Sequence, residues 1–217
     1  MILQISNLSH QFQKLTVLKN INLEITKPGL YVFAGANGSG KSTLFNCITG
    51  MLQANKGTIS LNSQDIGIVY EPVSTEPNLT VLQIIKMVIS IRNAKMDELD
   101  YQIKYWDLDE NRNKTFKALS LGMRKRLLIA CSLIGNPKIQ IWDEPFNGLD
   151  PLGMNKLREV INNQIKQGNT ILLSTHILGE LDTLAAEIYV LKEGGLVYGF
   201  KPDKSDNNLK QQIIEVL

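Results

Sequence analysis

Two stretches near the start of the chain place apolar residues at every second position. In "VLKNINLEI" the apolar Ile21, Leu23 and Ile25 alternate with polar residues, and "MILQISNL" follows the same pattern. Because successive side chains of a strand point to opposite faces, this alternation predicts two strands with one buried and one solvated face. Such strands are typical of antiparallel pairs.

Three later runs are apolar almost throughout: "LYVFA", "KIQIW" and "TILLS". This pattern predicts strands that are covered on both faces. "GTISL" and "IGIVY" indicate two further short strands, and "EIYVLKEGGLVYGF" indicates a hairpin. A helix is expected from Lys41 to about Leu52, and another over "NKLREVINNQIKQG". Strands that alternate with helices predict an α/β fold with a mainly parallel sheet.

The middle third of the chain has no strand pattern. From Thr80, a good N-cap residue, helical periodicity runs through "VLQIIKMVISIRNA" and continues to about Trp106. A further helix is expected to begin after Ser120, with Arg124, Lys125 and Arg126 on its first turns. We therefore predict a single domain over residues 1–217, with a helical subdomain at about 80–136 and an antiparallel β subdomain at the N-terminus. "KPDKSDNN" is linker-like and precedes a short C-terminal helix.

Composition narrows the functional classes. The chain has 217 residues, of which 43% are hydrophobic, enough for a sizeable core. Its 23 Lys and Arg against 21 Asp and Glu give a net charge of +2 without a dense basic block, which argues against general nucleic-acid binding. Two cysteines lack metal-ligand spacing, and no window reaches about 18 apolar residues. We expect a cytosolic chain, or one held at a membrane by a partner.

A glycine-rich segment, "GANGSGKST", joins the "LYVFA" strand to the first helix and fits the pattern G-x-x-x-x-G-K-[ST]. Glycines allow consecutive backbone N–H groups to point at phosphate oxygens, and the helix dipole adds positive charge. Lys41 would reach the β and γ phosphates of a nucleotide, and Ser42 would bind Mg²⁺. The predicted nucleotide-binding residues are Gly35, Asn37, Gly38, Ser39, Gly40, Lys41, Ser42 and Thr43.

Two other strands end in residues that suit nucleotide hydrolysis. Asp143 closes the strand in "IQIWDEP" and Glu144 follows it, so one carboxylate can face a metal while the other takes a proton from water. His176 follows the next buried strand in "STH". Ligands of open α/β sheets bind outside the carboxyl ends of the strands, which is where all three residues are expected.

These motifs resemble those of the ATP-binding cassette (ABC) ATPases that power membrane transporters, and the resemblance covers nearly the whole chain. It makes Gly35 to Ser42 the Walker A motif, Ile139 to Asp143 the Walker B motif, and "NGLD", ending at Asp150, the D-loop. It also implies a P-loop NTPase fold, a catalytic Glu144 and a switch histidine at His176.

"LSLGM", residues 119–123, resembles the family's signature motif LSGGQ. Ser120 and Gly122 are retained, whereas Leu121 replaces a glycine and Met123 a glutamine. This form is similar to that of exporter ATPases for antibiotics and for lantibiotic self-immunity. We therefore expect an exporter subunit.

The stretch "ALSLGMRKR" allows three interpretations: a nucleic-acid patch, a solvated helix face, or a helix start aimed at an anion. Ser120 as N-cap, Gly122 and the helix dipole favour the anion. The resemblance implies that this anion is the γ-phosphate of ATP on a second ABC subunit, so that two chains sandwich two nucleotides. For Arg124, Lys125 and Arg126 we favour a solvated helix face.

The resemblance also implies roles for Phe12 and Glu71. Phe12 aligns with the aromatic residue that stacks on adenine, although a core position is equally open from the residues alone. Glu71, in "IGIVYEP", stands where most relatives have a glutamine. It would either bind Mg²⁺ directly or stay withdrawn in a hinge loop, and we favour the withdrawn loop in the isolated chain.

The expected activity is ATP hydrolysis at the dimer interface, with Mg²⁺ held by Ser42 and Asp143, water activated by Glu144, and the γ-phosphate contacted by His176. Transport would require separate transmembrane permease subunits, which places the chain peripherally on the cytoplasmic face of the membrane. The alternatives are a soluble cassette ATPase that acts on nucleic acid or the ribosome, and a P-loop kinase. Soluble cassette ATPases usually carry tandem cassettes, long coiled coils or basic arms, and none of these is apparent here. A P-loop kinase would need an acceptor site and an arginine-bearing lid, and the signature motif and the Asp150 loop argue against it.

Overall fold

The computed structural model describes residues 1–70, 76–176 and 186–200. Glu71 and the predicted C-terminal helix lie outside these ranges.

A three-stranded antiparallel sheet forms the N-terminal part of the fold. It consists of β1 (Leu3–Phe12), β2 (Leu15–Ile25) and β4 (Lys56–Leu61), in the order β2-β1-β4. The predicted half-buried pair is confirmed, because buried apolar positions alternate with more exposed polar ones along much of β1 and β2. Asn7 has a φ of 51° at a register shift, so the buried side changes from Ile5 to Leu8.

A six-stranded sheet forms the centre, in the order β5-β6-β7-β3-β8-β9. Its strands are β3 (Leu30–Ala34), β5 (Ile66–Val69), β6 (Ile139–Asp143), β7 (Thr170–Thr175), β8 (Ala186–Lys192) and β9 (Gly195–Phe200). All neighbours are parallel except β8 and β9, which form the predicted hairpin. Every residue of β3, β6 and β7 is buried, as their continuous apolar runs predict.

Within the described residues, five α-helices surround the sheets: α1 (Lys41–Ile48), α2 (Val81–Arg92), α3 (Glu98–Tyr105), α4 (Leu121–Leu133) and α5 (Pro151–Lys166). Helix α1 is shorter than predicted because Gly50, with a φ of 77°, turns the chain out of the helix. Thr80 caps α2 in a reciprocal capping box with Gln83, as expected. From residue 80 to 136 the regular elements are helical, including two short 3-10 turns.

The central sheet separates two apolar cores. One core joins α1 and the antiparallel sheet to one face, through residues such as Phe33 and Leu44. The other core lies on the opposite face and joins that face to helices α2, α3, α4 and α5, through residues such as Val32 and Trp142. In the part of the chain that the structure describes, no helix is both long enough and apolar enough to cross a bilayer.

Strand register places the ends of β3, β6 and β7 at one edge of the sheet. Ala34 pairs with Thr175, and Asp143 pairs with Ser174. The segments that follow these strands, which carry the predicted site residues, therefore start side by side.

Candidate functional site

The loop that joins β3 to α1, residues 35–43, is called the phosphate loop below. A Cβ added at Gly35 would lie 2.5 Å from the Leu191 carbonyl oxygen and 2.6 Å from Ser39 Oγ. Gly38 and Gly40 have φ values of 83° and 108°, which glycine adopts without steric cost. The glycines therefore allow a compact turn that larger residues would prevent.

The start of α1 leaves its first N–H groups available to an anion. Gly40 is the N-cap residue, no side chain caps the helix, and its first turn contains no acidic residue. Unpaired N–H groups and the positive end of the helix dipole favour a negatively charged ligand at such a position. Among the described residues, the buried Ser39 Oγ has no hydrogen-bond partner.

Lys41 lies inside the phosphate loop. Its Nζ donates hydrogen bonds to the carbonyl oxygens of Gly35 at 2.7 Å and Ala36 at 3.2 Å. It also lies 3.5 Å from Glu144 Oε1. The ammonium group thus connects the phosphate loop to the end of β6.

Asp143, the last residue of β6, is a buried carboxylate that accepts hydrogen bonds from the hydroxyl groups of Ser174 and Ser42. Burial raises its pKa, and the two hydroxyl groups and Lys41 partly oppose this shift. Mg²⁺ prefers oxygen ligands and is usually held by one or two carboxylates together with substrate phosphates. Asp143 and Ser42 fit this preference. The described residues contain no group of three or more His, Cys, Asp or Glu suited to a metal held by protein alone.

Glu144 adopts a left-handed backbone conformation, with a φ of 47°. Its N–H donates to Ser174 Oγ at 2.9 Å, and its Oε2 lies 2.9 Å from His176 Nδ1. The carboxylate therefore lies between Lys41 on one side and His176 on the other, and only 7% of the residue is exposed. The structure brings together these three predicted residues, which are far apart in the sequence.

The signature segment, residues 119–123, leads into α4. Ser120 is the N-cap of α4 as predicted, and its Oγ accepts the Met123 N–H at 3.3 Å. The close backbone approach expected at Gly122 occurs within the chain, because a Cβ there would lie 2.7 Å from the Gly148 carbonyl oxygen. Leu121 packs against the same Gly148 and is 55% exposed.

The prediction of a solvated face for the three basic residues after Met123 is wrong for Lys125. Lys125 is fully buried, and its Nζ donates to the Glu144 carbonyl oxygen at 3.0 Å. Helix α4 packs on the central sheet, and residues 125, 129 and 132 share its buried side. This helical spacing was the signal that could have identified Lys125 from the sequence.

The two flanking arginines are partly buried and make specific contacts. Arg124 Nη2 donates to the Lys117 carbonyl oxygen at 2.8 Å. Arg126 joins Asp107, at 3.2 Å, to Asp150, at 2.5 Å. Asp150 is the N-cap of α5, and the Arg126 guanidinium holds the pKa of its carboxyl below the usual range. Arg126 therefore links α4 to the start of α5.

Phe12 lies at the end of β1 and is 48% exposed. The His10 ring packs edge-on against it, at 4.6 Å between ring centroids. The hairpin of β1 and β2 also packs against the phosphate loop, since a Cβ at Gly40 would lie 3.0 Å from the Val17 carbonyl oxygen. Phe12 therefore presents an exposed aromatic ring on the same hairpin that packs against the loop, while Glu71 lies outside the described residues.

Comparison with known proteins identifies the family. Residues 18–147 match the family model described as ABC transporter. The chain is 35% identical over 214 residues to the lantibiotic transport ATP-binding protein SrtF of Streptococcus pyogenes, covering 95% of this chain and 93% of that protein. It is 30% identical to the bacitracin transport ATP-binding protein BcrA of Enterococcus faecalis, covering 90% of this chain and 68% of that protein.

A solved structure shows the same fold. It is a dimeric ATP-binding cassette, MJ0796, in a post-hydrolysis state bound to ADP and Pi. It superposes with a TM-score of 0.83 at 24% identity, covering 92% of this chain and 98% of that chain. The family match, the two relatives and the fold lead to one conclusion: the chain belongs to the ABC transporter family, as an ATP-binding subunit with ATPase activity.

Proposed function

We propose that this chain hydrolyses Mg-ATP at a site completed by a second ABC subunit, and that hydrolysis drives separate transmembrane permease subunits in export. The position of Glu144 supports this function most directly. Its buried carboxylate lies between Lys41 Nζ and His176 Nδ1, beside the phosphate loop. We further propose that residues 1–217 form one ATPase domain, with residues 80–136 as the arm that faces the permease.

The phosphate loop would bind the triphosphate through the backbone and side chains of residues 35 and 37–43. Lys41 would exchange its hydrogen bonds to the Gly35 and Ala36 carbonyl oxygens for the β and γ phosphates. Phe12 would stack on adenine. Ser42 and Asp143 would hold Mg²⁺, which when bound neutralises charge on the β and γ phosphate oxygens.

Glu144 would accept a proton from the attacking water as the water oxygen bonds to the γ phosphorus. The bond between that phosphorus and the β–γ bridging oxygen breaks, so ADP and phosphate leave. His176 would contact the γ-phosphate and orient the Glu144 carboxylate, to which it already lies within hydrogen-bond distance.

The second subunit would supply Ser120 and Gly122 to the ATP held by the first. In this arrangement the start of α4 presents N–H groups to the γ-phosphate across the interface. A solved cassette with the same fold is dimeric, which supports the pairing of two subunits.

The relatives indicate the class of cargo. One is named for lantibiotic transport and the other for bacitracin transport. We infer that this subunit also serves an exporter of antimicrobial peptides, bound peripherally to its permease at the cytoplasmic face of the membrane.

The test is Glu144→Gln. The amide cannot take the water's proton, but it leaves the phosphate loop, Ser42 and Asp143 intact. ATP binding should therefore persist, turnover should fall by more than about a hundredfold, and a closed ATP-bound dimer should accumulate. Hydrolysis assays and sedimentation with Mg-ATP measure these effects.

Glu24→Gln is the matched control, because it makes the same change at an exposed position of β2. It should behave as wild type. Wild-type turnover in Glu144→Gln would remove Glu144 from the catalytic role.

A further inference from the structure

Lys125 is a charged residue in the interior of the protein. It lies on the second turn of α4 with none of its surface exposed, and it is among the largest fully buried side chains of the described residues. Burial of an ammonium group is costly, and a methionine or leucine would fill a similar volume without that cost. A role beyond filling space would explain why a lysine occupies this position.

The contact that Lys125 makes with Glu144 points to that role. Its Nζ donates to the Glu144 carbonyl oxygen at 3.0 Å, and the Asn147 N–H donates to the same oxygen at 3.2 Å. On the other side, the Glu144 N–H donates to Ser174 Oγ at 2.9 Å. Both the N–H and the carbonyl oxygen of Glu144 are therefore held by hydrogen bonds.

Glu144 needs such support because its backbone is in an uncommon conformation. A φ of 47° is unfavourable for a residue with a side chain, and it persists where the surroundings fix it. The direction of the Glu144 carboxylate follows from this backbone, so a shift of its carbonyl group would move the carboxylate relative to Lys41 and His176.

Lys125 also shares its helix with Ser120. The two residues are five positions apart, which is about 7.5 Å along a rigid α-helix. Ser120 is the N-cap of α4, and Lys125 contacts the residue that follows β6. The two ends of this short span are thus the signature segment and the carbonyl group of Glu144.

We propose that Lys125 is a positioning residue that fixes the Glu144 backbone, so that a properly seated α4 and a correctly aimed carboxylate occur together. The inference rests on the proposed function, because it takes Glu144 as the residue that activates water. Through this contact, the helix that completes the partner's site also sets the chain's own Glu144.

The experiment is Lys125→Met, which keeps the approximate length and volume and removes the donor. Its kcat should fall about ten- to a hundredfold, since small misplacements of a catalytic group cost about this much. Its KM for ATP should stay within about twofold, because the contact that the variant removes is to the Glu144 backbone and not to the phosphate loop. An ATP-dependent dimer should accumulate as in Glu144→Gln, because nucleotide and Ser120 would still meet.

Lys138→Met is the matched control. Lys138 directly precedes β6, at the opposite end of the strand from Asp143, and is exposed. It should keep wild-type kcat, KM and dimerisation. If Lys125→Met fails to fold, Lys125→Leu carries the same test, because it also removes the donor and keeps the position apolar.

A double-mutant cycle separates positioning from a general loss of structure. If Lys125 acts through Glu144, adding Lys125→Met to a Glu144→Gln chain should cause no further loss of single-turnover hydrolysis. Multiplied losses would overturn the inference, as would wild-type kcat in Lys125→Met.

Two other results have distinct meanings. Loss of the ATP-dependent dimer in Lys125→Met would show that Lys125 seats the signature segment and not Glu144, which also overturns the inference. Full turnover in Glu144→Gln would instead contradict the proposed function itself, and the inference with it.

Discussion

Asp143 illustrates at the level of single residues how the site is arranged for a charged ligand. The end of a strand that is covered on both faces forces this carboxylate into the interior. Hydroxyl groups of Ser42 and Ser174 supply hydrogen bonds, yet burial still raises its pKa. A carboxylate held in this way is destabilising by itself and becomes favourable when a cation binds.

Asp143→Asn should therefore stabilise the chain without metal and nucleotide. A raised pKa means that the folded state holds this proton more tightly than the unfolded state, so wild type loses stability as pH rises from about 4 through the raised pKa. The amide has no such loss. At pH 7.5 the Tm of Asp143→Asn should exceed that of wild type by about 2–4 °C, and the difference should vanish near pH 4.

Thermal unfolding in EDTA between pH 4 and 8 measures this difference. Glu24→Gln removes a carboxylate from an exposed position of β2 and should leave the Tm difference close to zero throughout. An Asp143→Asn chain that is less stable than wild type at pH 7.5 would mean that the buried charge contributes to folding.

At the level of elements, α4 and the loop that leads into α5 pack as one unit. Gly122 allows α4 to approach the Gly148 carbonyl oxygen, Leu121 covers Gly148, and Arg126 binds Asp150. The signature segment is therefore held by backbone contact as well as by charge. Its position depends on the loop that follows Glu144.

Gly122→Ala should disturb this unit. Alanine normally favours a helix over glycine, but the added Cβ would lie 2.7 Å from backbone oxygen, so α4 or the loop must shift. We expect ATP affinity to stay within about twofold and hydrolysis to fall about tenfold, because the signature segment moves and the phosphate loop does not. Nucleotide titration and steady-state hydrolysis check both.

Gly168→Ala provides the contrast. Its Cβ would have nothing within 4 Å, but its φ of 77° strains an alanine. It should lower Tm and leave hydrolysis unchanged, whereas Gly122→Ala should lower hydrolysis. Unimpaired hydrolysis in Gly122→Ala would show that the close contact with Gly148 has no role in activity.

At the scale of the whole molecule, the phosphate loop and the signature segment belong to different parts of the fold. The loop follows a strand of the central sheet, whereas the segment begins a helix of the 80–136 region. In the proposed pair of subunits, each ATP lies between the loop of one chain and the segment of the other. This arrangement predicts complementation between two inactive variants.

Mixing Lys41→Ala with Ser120→Arg should restore hydrolysis. Each variant alone damages both sites of its dimer, but a mixed dimer contains one site with both residues intact. With random mixing, about half of the dimers contain one chain of each variant, and each of these has one intact site out of two. About a quarter of the wild-type rate is therefore expected. Hydrolysis is measured against mixing ratio, and the monomeric Ser120→Arg chain should still bind ATP.

A mixture that stays as inactive as its components would contradict a site shared between chains. So would a Ser120→Arg monomer that binds ATP as poorly as Lys41→Ala.

The sequence by itself determined the elements whose signals are local. Alternation predicted the half-buried strands β1 and β2, and apolar runs predicted the buried strands β3, β6 and β7. Thr80 and Ser120 each cap a helix, as predicted. The sequence also predicted the phosphate loop, because its glycines satisfy a backbone requirement within one short segment. Hydrophobic periodicity and capping act between near neighbours, so they are visible without a fold.

Tertiary structure decided what depends on which surfaces meet. Lys125 carries the charge typical of a solvated helix face, yet it is buried because the central sheet covers that side of α4. His176 reaches Glu144 only because β6 and β7 are neighbours in register. Gly122 approaches Gly148 from a different element. Burial and contact between distant residues arise from the packing of layers, and local sequence patterns do not record which layer lies opposite.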